Sequence, residues 1–185
     1  MNKKTWDEIV RPVVVLTVIS LIVSFALAVT NSYTAPVISE NERLATLQAY
    51  VDVIPTVSDA SELELVDNLT TTGVVGAAKA SDGSVAVKAQ EAGFDGGVLT
   101  VIVGFDSSGK ITDLWVDAST QTKGYGSHMA DESFTAQFQG LDGTQNITMG
   151  ENGLDGYSGA TYSSKAMFAA VNDCINGYKE IAGTM

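Results

Sequence analysis

From Val13 to Val29 the chain reads VVVLTVISLIVSFALAV, 17 residues without a charge. Its only polar side chains are Thr17, Ser20 and Ser24, whose hydroxyls can bond back to helix carbonyls. With Thr30 added the run has 18 residues. At ~1.5 Å each these reach ~27 Å as a helix, enough for a hydrocarbon core. A single segment can satisfy its backbone in lipid only as a helix. A buried core helix fits poorly, because the run is apolar all round in a small chain. Lys3, Lys4 and Arg11 precede the run, and residues 31–39 carry no basic side chain. The positive-inside bias therefore puts the N-terminus in the cytoplasm and the rest outside. Ala26-Leu27-Ala28 also matches a signal-peptide cleavage site. The apolar run exceeds the ~7–15 residues usual for such a peptide, which favours an uncleaved anchor.

Removing that segment leaves roughly 150 of 185 residues, the size of one ordinary domain. The expected division is 1–12 as a cytoplasmic N-terminus, 13–30 as a transmembrane helix, 31–72 as a connecting helix and acidic loop, and 73–185 as the functional domain. The formal net charge is −12, and after residue 30 seven basic residues face 20 acidic ones. Such a field repels phosphate backbones and excludes nucleic acid as a partner. Cys174 is the only cysteine and His128 the only histidine. An intramolecular disulfide and a Cys-rich metal site are both ruled out. Cys174 reads as a small buried apolar residue on a helix.

Residues 36–53 read as a helix that Pro36 opens and Pro55 closes, with Leu44, Leu47, Val51 and Ile54 on one face. Residues 56–72 are polar and acidic and read as a loop with short extended pieces. Two β-prone stretches, Val74–Lys79 and Ser84–Ala89, flank the turn signal Ser81-Asp82-Gly83. Val98–Phe105 and Ile111–Ala118 form a second pair around Asp106-Ser107-Ser108-Gly109. Gly93-Phe94-Asp95-Gly96-Gly97 is a sharp, flexible entry to that pair. Residues 119–157 lack regular periodicity apart from Ser133–Gln139, a short helix with Phe134 and Phe138 four apart. So long a loop in a compact domain usually builds a site. From Tyr162 to Ile181, Met167, Val171, Ile175, Tyr178 and Ala182 recur at helical spacing, with Cys174 beside them and Ser163, Ser164, Asn172 and Asp173 facing elsewhere. The fold class is α+β: an N-terminal transmembrane helix, then one domain with a mainly antiparallel sheet and flanking helices.

Asp155-Gly156-Tyr157-Ser158-Gly159-Ala160-Thr161 runs straight into that last helix. A small-residue loop opening a helix leaves backbone N–H groups unpaired, and the helix dipole adds partial positive charge. A phosphate sits well there, and Ser158 and Thr161 offer hydroxyls at the same spot. The residues alone equally describe an ordinary helix start, with Ser158, Thr161 or Ser163 as N-cap. Gly156-Tyr157-Ser158-Gly159-Ala160 approaches the hydrolase elbow G-x-S-x-G but fails at its last position, and His128 would be the only base.

Asp155-x-x-Ser158-Gly159-Ala160-Thr161 resembles the D-x-x-S-G-A-T flavinylation motif of the FMN-binding domain family. In that family the threonine oxygen is joined to the phosphate of FMN. Gly93–Gly126 is similar to the family's central block, which ends in a loop of the form E-T-P-G-L-G. Here that loop is Gln121-Thr122-Lys123-Gly124-Tyr125-Gly126: Thr122, Gly124 and Gly126 match, whereas Gln121, Lys123 and Tyr125 depart. Phe138-Gln139-Gly140 resembles another short family block. The membrane helix followed by Thr34-Ala35-Pro36-Val37-Ile38 is most similar to the family's G-type branch, found in Rnf complexes. The C-type branch, found in sodium-pumping NADH:quinone oxidoreductases, has usually longer chains.

The resemblance implies covalent FMN on Thr161, with Ser158, Gly159 and Ala160 shaping the phosphate pocket. It implies that Asp155 is read by a flavin transferase, since an alkyl hydroxyl is a poor nucleophile unaided. Thr122 and Gly124 would line the ring or ribityl chain. Tyr125 and Tyr157 would pack on the ring or merely fill loop space; Lys123 would offset the phosphate or stand exposed. The implied function is an electron-carrying subunit, not a stand-alone catalyst, of a ferredoxin:NAD⁺ oxidoreductase exporting Na⁺ or H⁺. Its expected partners are the other membrane subunits, the transferase and the bilayer. Two other functions fit the residues: a cofactor-free anchored binding module, and a flavinylated component of another extracytoplasmic electron-transfer chain.

Overall fold

The computed structural model describes residue 6, residues 10–66 and residues 68–183. Lys3 and Lys4, which enter the topology argument, lie outside them. The chain divides into two units, Met1–Ala45 and Thr46–Met185.

The first unit is dominated by helix α1, Arg11–Val53, which begins in it and ends in the second. Large apolar side chains stand exposed around the whole apolar stretch, Leu16, Leu21, Phe25 and Leu27 among them. None of its most apolar window is buried inside the protein, and the helix is long enough to cross a membrane. A core-helix reading therefore drops out, since an unburied stripe of this kind needs lipid to cover it. The helix expected to start at Pro36 is instead continuous with the preceding one. Pro36 removes only the N–H that would reach the Ser32 carbonyl. A helix already formed on both sides tolerates that loss, because elongation does not repeat the nucleation cost.

In the second unit, strands β1 (Leu63–Val66), β2 (Val74–Ala80), β3 (Val85–Ala92), β4 (Val98–Phe105) and β5 (Ile111–Asp117) form one sheet in sequence order. Every neighbouring pair is antiparallel. β1 is an extended piece of the acidic segment, introduced by a 3₁₀ turn that Asp59 and Glu62 close as a reciprocal capping box. The β3–β4 hairpin pairs Val85 with Phe105 at one end and Ala92 with Val98 at the other, so its loop is the glycine-rich 93–97. Past β5 come a 3₁₀ turn at Gly126–Ala130, the one-turn helix α2 (Glu132–Thr135) and a further 3₁₀ turn at Ala136–Phe138. Helix α3 is Thr161–Ala182.

The two sheet faces differ in side-chain size, and that difference places the helices. Val85, Val87, Leu99, Val101, Val103 and Phe105 form one core with Met167, Val171 and Ile175 of α3. Burying each such side chain is worth about 1.5–3 kcal/mol. The opposite face is Ala78, Ala80, Ala86 and Ile102, and it packs with Ala49, Tyr50, Val53 and Ile54. At Gly104 a Cβ would overlap the Val53 carbonyl oxygen. That same oxygen accepts a 2.6 Å hydrogen bond from the Thr112 hydroxyl, so the small face admits and fastens the end of α1.

Two expected faces shift. Leu44 is exposed and Leu47 and Val51 are half-buried, because Ala49, Tyr50 and Val53 fit the small-residue face better. In α3, Ile181 is buried in place of Ala182, and Ser163 and Ser164 are buried where they were expected to face away. Their hydroxyls are spent inside the protein, as the site below explains. Cys174 is fully buried, with its thiol 3.2 Å from the Val87 carbonyl; burial pushes its pKa up and leaves it inert.

Candidate functional site

Helix α3 begins without a side-chain cap. Its N-cap residue is Ala160, whose methyl group can accept nothing. The three candidate capping hydroxyls are placed otherwise. Ser163 Oγ donates to Gln121 Oε1 at 2.9 Å, Ser164 Oγ accepts from the Tyr157 N–H at 2.9 Å, and Ser158 is exposed in the preceding loop. Thr161 is the first helical residue and is exposed. The ordinary capped start is thus not what this sequence builds. It builds a helix N-terminus whose donors and dipole face outward with a hydroxyl among them. Gly159 has φ +84°, the left-handed conformation that turns the loop into the helix and that a side chain would strain.

Two hollows meet at this point. One, of about 270 Å³, is lined by Thr122, Tyr125, Gly126, Gly159, Thr161 and Ser163, with Phe94 and Tyr162 as aromatic walls. Phe94, Tyr125 and Tyr162 are 53%, 56% and 67% exposed, which is unusual for such large apolar rings gathered in one place. The Phe94 and Tyr162 ring centroids lie 5.9 Å apart at a 56° tilt. The other hollow is lined by Asp155, Gly156, Tyr157, Ser158, Gly159, Thr161 and Ser164 with Met149 and Gly150. Gly159 and Thr161 belong to both.

The sequence-predicted residues separate accordingly. Thr122, Gly159, Ala160 and Thr161 come together on the aromatic side. Ser158 and Asp155 lie on the other side, and the Asp155 N–H is fixed by Gln137 Oε1 at 2.8 Å. Gly124, at φ +79°, shapes the turn that presents Thr122 and Tyr125 but lines neither hollow. Lys123 is exposed and also lines neither. Tyr157 stacks on His128 at 4.5 Å and meets Phe134 edge-on, so its ring serves packing. Tyr125 is the tyrosine left facing the groove.

The hydrolase geometry fails on two counts. Ser158 follows a loop instead of a strand, and His128 Nδ1 is engaged with Asp131 at 2.7 Å while its ring lies on Tyr157.

Three contributors escaped the sequence reading. Phe94 sits in what looked like a mere glycine entry; an aromatic flanked by glycines was the available signal. Tyr162 looked like any first-turn residue. Gln121 is 6% exposed and bridges Gly97 to Ser163, contacts to residues 24 and 42 positions away that no local pattern announces.

The donor set suits a phosphorylated planar ligand. A small-residue helix start takes a phosphate, aromatic walls take a flat ring, and a hydroxyl stands between them. Residues 93–176 match the FMN-binding domain family. The chain is 26% identical, over 96% of its length and 95% of the relative's, to the G-type subunit of the Na⁺-translocating ferredoxin:NAD⁺ oxidoreductase complex of Acetobacterium woodii. Its fold is similar to that of the C-type subunit of Na⁺-translocating NADH-quinone reductase from Parabacteroides distasonis, with a TM-score of 0.55 at 18% identity over 77% of this chain and 93% of that one. Behind a helix long enough to span a membrane, this chain carries an FMN-binding domain related to the G-type and C-type proteins of these two complexes.

Proposed function

We propose that the protein is a membrane-anchored electron-carrying subunit that holds FMN through a phosphoester to Thr161. The observation that carries this reading is the exposed Thr161 hydroxyl at an uncapped helix start, where an aromatic groove and a polar hollow meet. Thr161 Oγ would bond to phosphorus, losing its proton as the leaving group departs from the flavin donor. The N–H groups of the first turn of α3 would hold the phosphate oxygens, with Ser158, Gly159 and Ala160 shaping their pocket. Phe94, Tyr125 and Tyr162 would flank the ring, and Thr122 would reach its edge or the ribityl chain. FMN supplies reversible one- and two-electron chemistry; the protein supplies position, electrostatics and exclusion of side reactions.

The groove is smaller than the ~300–1,000 Å³ of sites that engulf their ligands, which leaves a ring edge open to redox partners. Covalent attachment suits such an exposed carrier, since a tethered group keeps a fixed high local concentration. With no general base beside Thr161, a separate flavin transferase would form the bond, and Asp155 on the far side of the threonine is available for that enzyme to read. The relatives' complexes support assigning this chain to a ferredoxin:NAD⁺ oxidoreductase of the Rnf type, beside other membrane proteins of the complex. Arg11 before the apolar run, and the lack of basic residues just after it, support an N-terminus inside and the domain outside the cytoplasmic membrane.

The test is a denaturing gel viewed under ultraviolet light, with the chain made in a host that expresses an active flavin transferase. A fluorescent band that survives denaturation and vanishes in Thr161→Ala is the expected result. An unlabelled wild-type band beside a labelled control protein points to a cofactor-free module. Labelling that depends on Ser158 and not on Thr161 moves the attachment point.

A further inference from the structure

Gln121 is a polar side chain buried at the junction of three segments that build the aromatic groove. Its Nε2 donates to the Gly97 carbonyl at 2.7 Å, and its Oε1 accepts from the Ser163 hydroxyl at 2.9 Å. Its backbone N–H is bonded to Ala118 at 2.9 Å, which fixes the root of the side chain. The neighbouring glycines leave room for it alone: a Cβ on Gly93 would overlap the Gln121 amide oxygen, and one on Gly126 would overlap Ser163 Oγ. The bridged segments bear the groove's walls. Phe94 lies in the 93–97 loop, Thr122 and Tyr125 follow Gln121, and Tyr162 precedes Ser163.

We propose that Gln121 is a positioning residue that sets the width of the groove beside Thr161, and that only a neutral amide performs this. The two partners are chemically different. The Gly97 carbonyl can only accept, so the group facing it must donate. A glutamate, the residue of the family's corresponding loop, would set a carboxylate oxygen against that carbonyl oxygen or hold its proton in a buried site. In this chain the amide removes the conflict, and no charge stands behind the groove at this position. The purpose served by the brace rests on the proposed flavin site; the brace itself is a property of the chain.

The test compares wild type with Gln121→Met, Gln121→Glu and Ser163→Ala, each as the full chain in detergent, with and without co-expressed flavin transferase. Amide hydrogen exchange on the unlabelled chains reads the brace. Exchange in both 93–97 and 161–164 should quicken about tenfold in Gln121→Met, as expected for loss of a buried bridge. It should quicken more in Gln121→Glu and less in Ser163→Ala, with β3, β4 and the rest of α3 unchanged. On labelled chains, iodide quenching of flavin fluorescence should rise about twofold in Gln121→Met if the walls part. Unchanged exchange in both segments for Gln121→Met, or global loss of protection in it together with unchanged exchange in Ser163→Ala, overturns the brace. Restored wild-type protection in Gln121→Glu overturns the requirement for an amide. A wild type that takes no flavin defeats the proposed function and leaves the exchange measurement to decide the brace.

Discussion

The two ends of α3 use their polar groups in opposite ways. At the C-terminal end, the exposed Glu180 carboxylate accepts from the N–H and hydroxyl groups of both Thr70 and Thr71, at 2.7–3.1 Å. Lys179 Nζ donates to Asn146 at 2.8 Å, and the Gly183 N–H closes the last turn on the Lys179 carbonyl at 2.9 Å. At the N-terminal end the cap is an alanine, the nearby serine hydroxyls point inward, and Thr161 is exposed. The chain spends side chains tying one end to the β1–β2 loop and withholds them from the other. An end left unsatisfied by its own protein is one whose donors are available to something else, and the same helix supplies the tied control.

That contrast predicts a double dissociation. Thr161→Ala should abolish covalent labelling completely and leave thermal stability within about 0.5 kcal/mol, because the side chain is exposed and caps nothing. Glu180→Gln should leave labelling intact and free the 68–73 loop, seen as faster amide exchange at Thr70 and Thr71. A Thr161→Ala protein that melts well below wild type would mean the hydroxyl is structural, and the contrast between the ends would break.

The glycines beside the two ends sharpen it. Gly159 has φ +84°, whereas Gly183 is right-handed at φ −72°. Alanine at 159 would meet the Tyr125 ring at 3.4 Å, an ordinary contact, so its cost is the backbone's, about 1–2 kcal/mol. Alanine at 183 should change stability by no more than about 0.5 kcal/mol. Chemical denaturation of both variants reads the difference, and equal effects would remove the claim that the site end is built on a conformation only glycine holds cheaply.

Protonation offers a gentler probe of the tied end. The threonine hydrogen bonds hold the Glu180 pKa down to about 2, from an ordinary value of 4.5. A depressed carboxylate pKa contributes stability that is present above the unfolded value and lost as pH falls through the folded one. Protection of the Thr70 and Thr71 amides should therefore weaken between about pH 4.5 and 2, while the exchange of 161–164 shows no matching step.

Much of this architecture was legible because it is local. The apolar run, the four longer strands and the last helix each carry their own periodicity, and Asp155–Thr161 reads as a motif in seven consecutive residues. What escaped depends on distant partners. Pro36 reads as a helix start until a helix arrives from the other side. Tyr50 is buried because Ala78, Ala86 and Gly104 leave space across the sheet. Ser163 and Ser164 look like surface positions until Gln121 and the Tyr157 N–H are brought to them. The groove's aromatics were hidden for the same reason: Phe94 and Tyr162 are 68 positions apart, and only the hairpin and the helix together make them neighbours.

Asp173, midway along the tied half of α3, supplies the smallest expected effect and the most pointed one. Its carboxyl lies over Gly73, where a Cβ would overlap it, and faces Glu91 of β3. Partial burial, with the Glu91 carboxyl beside it, raises its pKa to about 6 from an ordinary 3.8. The sign is opposite to that of Glu180. A carboxyl whose folded pKa is raised favours the fold below the unfolded value, and that advantage is lost as pH rises through about 6. Asp173→Asn should therefore match wild type near pH 3.5 and melt higher above pH 6, by a fraction of a kcal/mol once solvent screening is allowed for. Melting temperature against pH for the two proteins should diverge between about pH 4 and 6. Curves that stay parallel across that window would show the pair to be fully hydrated, and the loop at Gly73 to be held by Glu180 alone.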